Sequence, residues 1–228
     1  MGGGGRTAVL IPWREGCPHR EAALKWVVDR WRSAGYEPVI GECPTGPWRK
    51  ASAVAAALAR TSASVLIVAD ADVWVDVSEA VAAVGDGAPW AVPHGPVRRL
   101  AEEATRAVLA GAPLGDGPLT EPAYRGVEGG GVTVLPRDLY EVSPLDPRFA
   151  GWGQEDEAWG IALRAVAGRA WRGSAPLYHL WHPPQNRLSR RWGSRDGMTL
   201  YRRYRHAARR PEEVRFLLAE IGGPHGVA

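Results

Sequence analysis

Along the first half of the chain, short apolar runs alternate with apolar stripes of helical period. Thr7-Ala8-Val9-Leu10-Ile11 is an apolar run ended by Pro12 and predicts a buried strand. From Arg20 to Ala34, Ala23, Leu24, Val27, Val28 and Trp31 recur at helical spacing, and Gly35 stops that helix. Pro38-Val39-Ile40 predicts a second strand, and the alanine-rich stretch from Arg49 to Arg60 a second helix. Val65-Leu66-Ile67-Val68-Ala69 is a continuous apolar run, as expected inside a sheet. Asp76-Val77-Ser78-Glu79 reads as a helix start, with Asp as cap and Glu three residues on. Trp90-Ala91-Val92-Pro93 is a further strand. This alternation implies a parallel sheet with helices on its faces. Ligands of such sheets bind beyond the carboxyl ends of the strands.

The second half is less regular. Gly111 to Pro122 is rich in glycine and proline and reads as a loop. Glu128-Gly129-Gly130-Gly131 precedes the strand Val132-Thr133-Val134-Leu135. Glu155 to Ala167 predicts a helix, Leu177 to Trp181 a strand, and Thr199 to Ala208 and Pro211 to Ile221 two terminal helices.

With 228 residues, 45% of them hydrophobic and 23% charged, the chain has ordinary globular composition and enough material for one sizeable core. No apolar run approaches the ~20 residues of a membrane span, and the start lacks the apolar stretch of a secretory signal. Cys17 and Cys43 are too few for a disulfide scaffold. Together these features predict a soluble, cytoplasmic protein.

Charge separates the two ends. From Arg187 to Arg215 there are ten arginines against Asp196, Glu212 and Glu213, a balance of +7. The whole chain carries +3, so the remainder carries −4. The basic end suits a phosphate-bearing partner such as a nucleotide, a nucleic acid or an anionic membrane. A solvated helical face is the plainer alternative.

Three motifs carry candidate chemistry. Asp70-Ala71-Asp72 follows the most apolar strand, where two carboxylates one residue apart approach one hard cation such as Mg²⁺ or Mn²⁺. Gly151-Trp152-Gly153-Gln154-Glu155-Asp156-Glu157 opens a helix with three acids, which the helix dipole favours. The glycines ahead of them have no helical purpose, and an exposed tryptophan there would be a platform for a sugar ring. His179 and His182 close a strand and offer an imidazole to a metal, or a structural hydrogen bond.

These pieces, in this order, resemble the GT-A glycosyltransferases, in particular the β-1,4-galactosyltransferases and the bacterial family 2 enzymes that share their C-terminal module. The likeness runs from about Val9 to Asn186. Ile11-Pro12-Trp13-Arg14 is similar to the family's nucleotide-contacting Ile-Pro-Phe-Arg. Trp48-Arg49-Lys50-Ala51 is similar to its Phe-Asn-Arg-Ala segment, which packs on the uridine. Asp70 and Asp72 stand where the family has its metal-binding Asp-x-Asp. Gly130-Gly131-Val132 is similar to its Gly-Gly-Val, and Trp152 to Glu157 to its Trp-Gly-Gly-Glu-Asp-Asp. Gln154 stands where the family has glycine.

The resemblance implies an α/β fold of GT-A type: a Rossmann-like, mostly parallel central sheet, helices on both faces and a helical C terminus. It divides the chain into a flexible start (1–6), a transferase domain (7–186) and an Arg-rich helical extension (187–228). It implies a nucleotide-sugar donor, UDP-linked, bound by Pro12, Trp13, Arg14, Trp48, Lys50, Asp70, Gly130 and Gly131. A divalent cation, Mn²⁺ or Mg²⁺, would sit on Asp70, Asp72 and His182 or His179. Trp152, Gly153 and Glu155 would bind the acceptor. Asp156 would be the general base of an inverting reaction, and Glu155, the other catalytic residue, would bind hydroxyls of the acceptor or donor.

Two rivals keep parts of this picture. A nucleotidyltransferase would also place carboxylates and metal at such a sheet, but Pro12-Trp13-Arg14-Glu15-Gly16 lacks the Gly-rich, basic signature expected after its first strand. A nucleic-acid-binding protein would use the arginines interleaved with Trp192, Tyr201 and Tyr204. A transferase acting on a hydroxylated base in DNA would combine both features.

Overall fold

The computed structural model describes residues 7–115, 117–184 and 194–222. Residues 1–6 and, in the basic region, Arg187, Arg190, Arg191 and Trp192 lie outside the described residues.

The chain opens with β1 (Thr7–Trp13), α1 (Pro18–Ser33), β2 (Pro38–Glu42), α2 (Lys50–Leu58) and β3 (Val65–Ala69). β1 pairs in parallel with both β2 and β3. This is the parallel β-α-β arrangement that the alternating pattern predicts. Proline at the start of α1 costs no hydrogen bond there. Close packing of α2 on β2 requires glycine at position 41, where a Cβ would fall 1.9 Å from the Ala53 carbonyl oxygen.

After β3 the chain forms β4 (Val73–Trp74), α3 (Ser78–Gly85), β5 (Ala91–Arg99), α4 (Glu102–Leu109), β6 (Tyr124–Arg125), β7 (Val132–Pro136) and α5 (Arg137–Val142). It ends with α6 (Glu155–Ala167), β8 (Trp171–His179), α7 (Arg195–Ala207), α8 (Pro211–Ala219) and a 3₁₀ turn at Glu220–Gly222. The sheet order is β2-β1-β3-β7-β5-β8-β4, with β6 on the edge of β5.

The sheet is therefore mixed rather than mostly parallel. β7 returns beside β3 antiparallel, because the excursion from 111 to 131 brings the chain back at the carboxyl end of β3. β4 and β8 are also antiparallel, while β5 and β8 are parallel. β8 starts at Trp171, earlier than its apolar residues suggest, since pairing with β5 holds Trp171 to Ala175 in the sheet. Helix α4 was not evident in the sequence pattern.

Side chains of β1 alternate between two apolar layers. Val9 and Ile11 face α1, α3 and α4, whereas Ala8 and Leu10 face α2, α5 and α6. A third cluster joins Ala158 and Ala162 of α6 to Tyr201 and Tyr204 of α7 and Val214 and Leu217 of α8. The basic C-terminal helices are thus packed onto the domain. Each such buried large apolar side chain contributes roughly 1.5–3 kcal/mol. No helix among the described residues is long and apolar enough to cross a membrane.

Candidate active site

A cleft of about 300 Å³ opens at the carboxyl end of β3. Asp70 and Asp72 form one wall, the first turn of α6 another, and the ends of β5 and β8 a third.

The two aspartates go different ways. The Asp70 backbone N–H donates to the Gly131 carbonyl at 2.9 Å, which ties the end of β3 to the glycine triplet. The Asp70 carboxylate lies 2.6 Å from Lys50 Nζ. Asp72 sits two residues on, in the turn leading into β4, and its carbonyl accepts the Leu180 N–H at 2.8 Å. Because β4 pairs with β8, Asp72 meets the histidines at the end of β8. Its oxygens lie 3.8 Å from His179 Nε2 and 3.4 Å from His182 Nε2.

Asp72, His179 and His182 offer one ligand atom each, all within 4.8 Å of one another. His182 Nδ1 bonds the Pro183 carbonyl at 2.8 Å. That bond assigns the proton to Nδ1 and leaves the Nε2 lone pair on the Asp72 side, the usual arrangement of a metal-binding imidazole. Burial pushes His179 down to about 4, as do Arg99 and His182, against the pull of Asp72. His179 is therefore neutral at neutral pH, as a ligand must be. One carboxylate and two imidazoles fit a divalent transition ion. Asp70 is not part of this set.

Arg20, from the first turn of α1, completes the surroundings of Asp72. Its Nε donates to Asp72 Oδ2 at 3.1 Å, and both side chains are buried. Burial raises the Asp72 carboxyl, but the cationic neighbours outweigh it and hold the group below its ordinary value.

The acidic turn of α6 forms the floor. Glycines let the chain approach it: a Cβ on Gly129 would lie 2.4 Å from the Asp156 carbonyl oxygen, and one on Gly160 would lie 2.3 Å from that of Glu128. Glu155 Oε2 accepts the Gly153 N–H at 2.8 Å, as a capping carboxylate does. Asp156 Oδ1 accepts from Lys50 Nζ at 2.7 Å. Burial, together with the Asp70 and Glu155 charges, pushes Asp156 up to about 7, although Lys50 pulls it down. Burial also raises Glu155. Burial lowers Lys50, but Asp156, Asp70 and Glu155 together raise it above its ordinary value, so it stays charged. Glu157 accepts a hydrogen bond from Tyr201 of α7.

Trp152 is not the open platform expected of it. It is half-buried and stacks on Trp48, with ring centroids 5.1 Å apart and planes 18° apart. The Arg20 guanidinium lies 4.5 Å from its ring centroid. Gly151 and Gly153, both at positive φ, allow the backbone to place it there. Gln154 also takes a left-handed φ of 68°, so the residue that replaces the family's glycine keeps a glycine-like conformation.

Pro12, Trp48, Lys50, Gly130, Gly131, Gly153 and Glu155 line the cleft alongside both aspartates and both histidines. Trp13 is instead buried in the core against α1. Arg14 donates to the Pro44 and Gly46 carbonyls at 3.3 and 2.7 Å, outside the cleft lining. In the described part of the basic region, Arg203 pairs with Glu220 and Arg210 with Glu213. Arg20, His94 and Arg99 line the cleft without having stood out in the sequence. Arg20 and Arg99 belong to an arginine-rich background, and His94 lies mid-strand with no motif around it.

No protein-family model matches the chain, and neither does any curated protein. Similarity emerges with solved structures. GalNAc-T7 with UDP, GalNAc and Mn²⁺ aligns at a TM-score of 0.50 and 16% identity, over 89% of this chain and 48% of that one. Drosophila β1,4-galactosyltransferase 7 with xylobiose aligns at 0.48 and 15%, over 87% and 79%. Mycobacterium tuberculosis glucosyl-3-phosphoglycerate synthase with Mn²⁺ and UDP-glucose aligns at 0.48 and 18%, over 97% and 80%. The chain spans about half the length of GalNAc-T7. At this identity the likeness is one of fold alone, and the fold is of GT-A type.

Proposed function

We propose that this protein is a metal-dependent, inverting glycosyltransferase that moves a sugar from a nucleotide sugar, UDP-linked, to an acceptor hydroxyl. One observation carries the reading. A carboxylate–imidazole cluster suited to a divalent ion and an aspartate with raised proton affinity line the same cleft, at the carboxyl end of the sheet. The fold, the known donors of the GT-A structures it resembles and the Trp-Gly-Gln-Glu-Asp-Glu motif support it.

Asp72, His179 and His182 would hold Mn²⁺ in preference to Mg²⁺, since imidazole suits the softer ion. Bound there, the ion would supply positive charge against the departing diphosphate. Asp156 would take the proton of the acceptor hydroxyl as its oxygen bonds to the anomeric carbon and the bond to the diphosphate breaks. Lys50 would keep Asp156 ionised before the reaction and hold it toward the cleft. Glu155 would bind hydroxyls of the acceptor or donor. Pro12 and Trp48, both in the cleft lining, would lie on the nucleotide side, and stacking of a base on Trp48 would require Trp152 to leave that face.

The test is incubation with Mn²⁺, a panel of nucleotide sugars and hydroxyl acceptors, including hydroxymethylated DNA, with products read by mass spectrometry and NMR. Release of a nucleoside diphosphate with a glycosylated product of inverted configuration is the expected result. Pyrophosphate released from a sugar phosphate and a nucleoside triphosphate would identify a nucleotidyltransferase instead. Transfer to DNA alone would identify the nucleic-acid acceptor.

A further inference from the structure

Three cationic side chains line the cleft among the described residues: Arg20, Lys50 and Arg99. The first two are buried and matched to carboxylates at 2.6–3.1 Å. Arg99 is different. Its Nε faces the Tyr124 hydroxyl at 3.0 Å and Glu121 at 3.3 Å, and Nη1 extends to 3.5 Å from His179 Nε2. The Glu121 pair is more than one-third exposed on both sides, where such a pair contributes little. At 3.5 Å the contact with the imidazole is also at the outer limit of a hydrogen bond.

The sheet fixes this placement. Arg99 is the register partner of His179 in the parallel β5–β8 pair, and Tyr124 of β6 pairs with Val97 of the same strand. The arginine head is therefore carried beside the Asp72–His179–His182 cluster by strand pairing rather than by a loose loop. A guanidinium next to a cation-binding cluster is unfavourable on its own. An anion that touches both reverses the sign. A guanidinium fork matches two phosphate oxygens, and the Tyr124 hydroxyl, which accepts from Arg99, keeps its own proton to donate to a third.

We propose that Arg99, braced by Tyr124, is a phosphate-binding side chain of the cleft that grips the diphosphate of the donor from the His179 side. The inference rests on the transferase reading for the source of the phosphate. The same chemistry would suit an anionic acceptor, and the experiment separates the two.

Calorimetry with Mn²⁺ alone, with pyrophosphate plus Mn²⁺ and with UDP plus Mn²⁺ compares the wild type with Arg99→Gln, Arg99→Lys and Tyr124→Phe. Arg99→Gln is expected to lose ~10–100-fold in affinity for pyrophosphate and UDP, the range of a charge-assisted hydrogen-bond pair. Arg99→Lys should recover part of the loss, and Tyr124→Phe should lose less than Arg99→Gln. Affinity for Mn²⁺ alone should not fall. Unchanged pyrophosphate and UDP affinity in Arg99→Gln overturns the proposal, as does an equal loss for Mn²⁺ alone, which would mark a structural role. A rise confined to the KM of an acidic or phosphorylated acceptor also overturns it. Arg99-dependent pyrophosphate binding without sugar transfer from any nucleotide sugar would leave the phosphate site standing and remove the transferase reading.

Discussion

Lys50 Nζ lies 2.7 Å from Asp156 Oδ1 and 2.6 Å from Asp70 Oδ1, so one buried ammonium joins the end of β3 to the first turn of α6. The lysine leaves the proposed base ionisable near neutrality in a site whose burial would otherwise keep it protonated. A cation hydrogen-bonded to a carboxylate favours its charged form.

The pH dependence follows from that pair. A base must be deprotonated to act, so kcat/KM should rise with pH through about 7 and level off above it. Lys50→Gln removes the cation that lowers Asp156, so the midpoint should move upward, by ~1–3 pH units. Initial rates from pH 5.5 to 9 check both the limb and its displacement. A downward displacement would contradict the role given to Lys50.

Asp156→Asn is nearly isosteric and keeps a hydrogen-bond acceptor for Lys50. Turnover should fall ~10²–10⁴-fold, the usual contribution of general-base catalysis. Nucleotide-sugar affinity, measured by calorimetry, should change little. Wild-type turnover in this variant would remove Asp156 from the chemistry.

Metal binding should depend on Asp72 and His182 more than on Asp70. Asp72→Asn and His182→Gln are each expected to weaken Mn²⁺ binding by at least ~10-fold. Asp70 bonds Lys50 instead, so Asp70→Asn should weaken it less. Manganese electron paramagnetic resonance titrations measure this directly. Mn²⁺ should support more activity than Mg²⁺, and chelator should abolish it.

Two backbone positions give stability predictions of opposite sign. Gln154 sits at φ 68°, where a side chain costs roughly 1–2 kcal/mol and glycine nothing. Gln154→Gly should stabilise the fold by up to ~1 kcal/mol, because added freedom of the unfolded chain offsets part of the relief. Gly160→Ala should destabilise by ~1–3 kcal/mol, since its Cβ would fall 2.3 Å from the Glu128 carbonyl oxygen. Thermal unfolding of both variants checks the signs.

Much of the local structure was legible in advance. The sequence pattern predicts α6 over Glu155–Ala167 and β3 over Val65–Ala69, the bounds the structure shows. Both are long or continuous apolar patterns bounded by clear breaks. The first half of β8 was not legible, because Arg172-Gly173-Ser174 is strand only through its pairing with β5. Arg99 carried no signal at all, being one arginine among many until the register set it beside His179.

The sequence by itself determined the chemical inventory: the paired aspartates after an apolar strand, the acid-rich helix start behind Gly-Trp-Gly, and the two histidines at a strand end. Residues close in the chain set those patterns through helix dipole, strand period and turn chemistry, which act over a few residues. Only the tertiary structure decided who meets whom. It gave Asp70 to Lys50 and Asp72 to the histidines, folded Trp152 onto Trp48, and brought Lys50 to Asp156 across 106 positions of chain. Those partners are chosen by sheet order and register, which depend on packing the whole core at once, and neighbouring residues do not encode that packing.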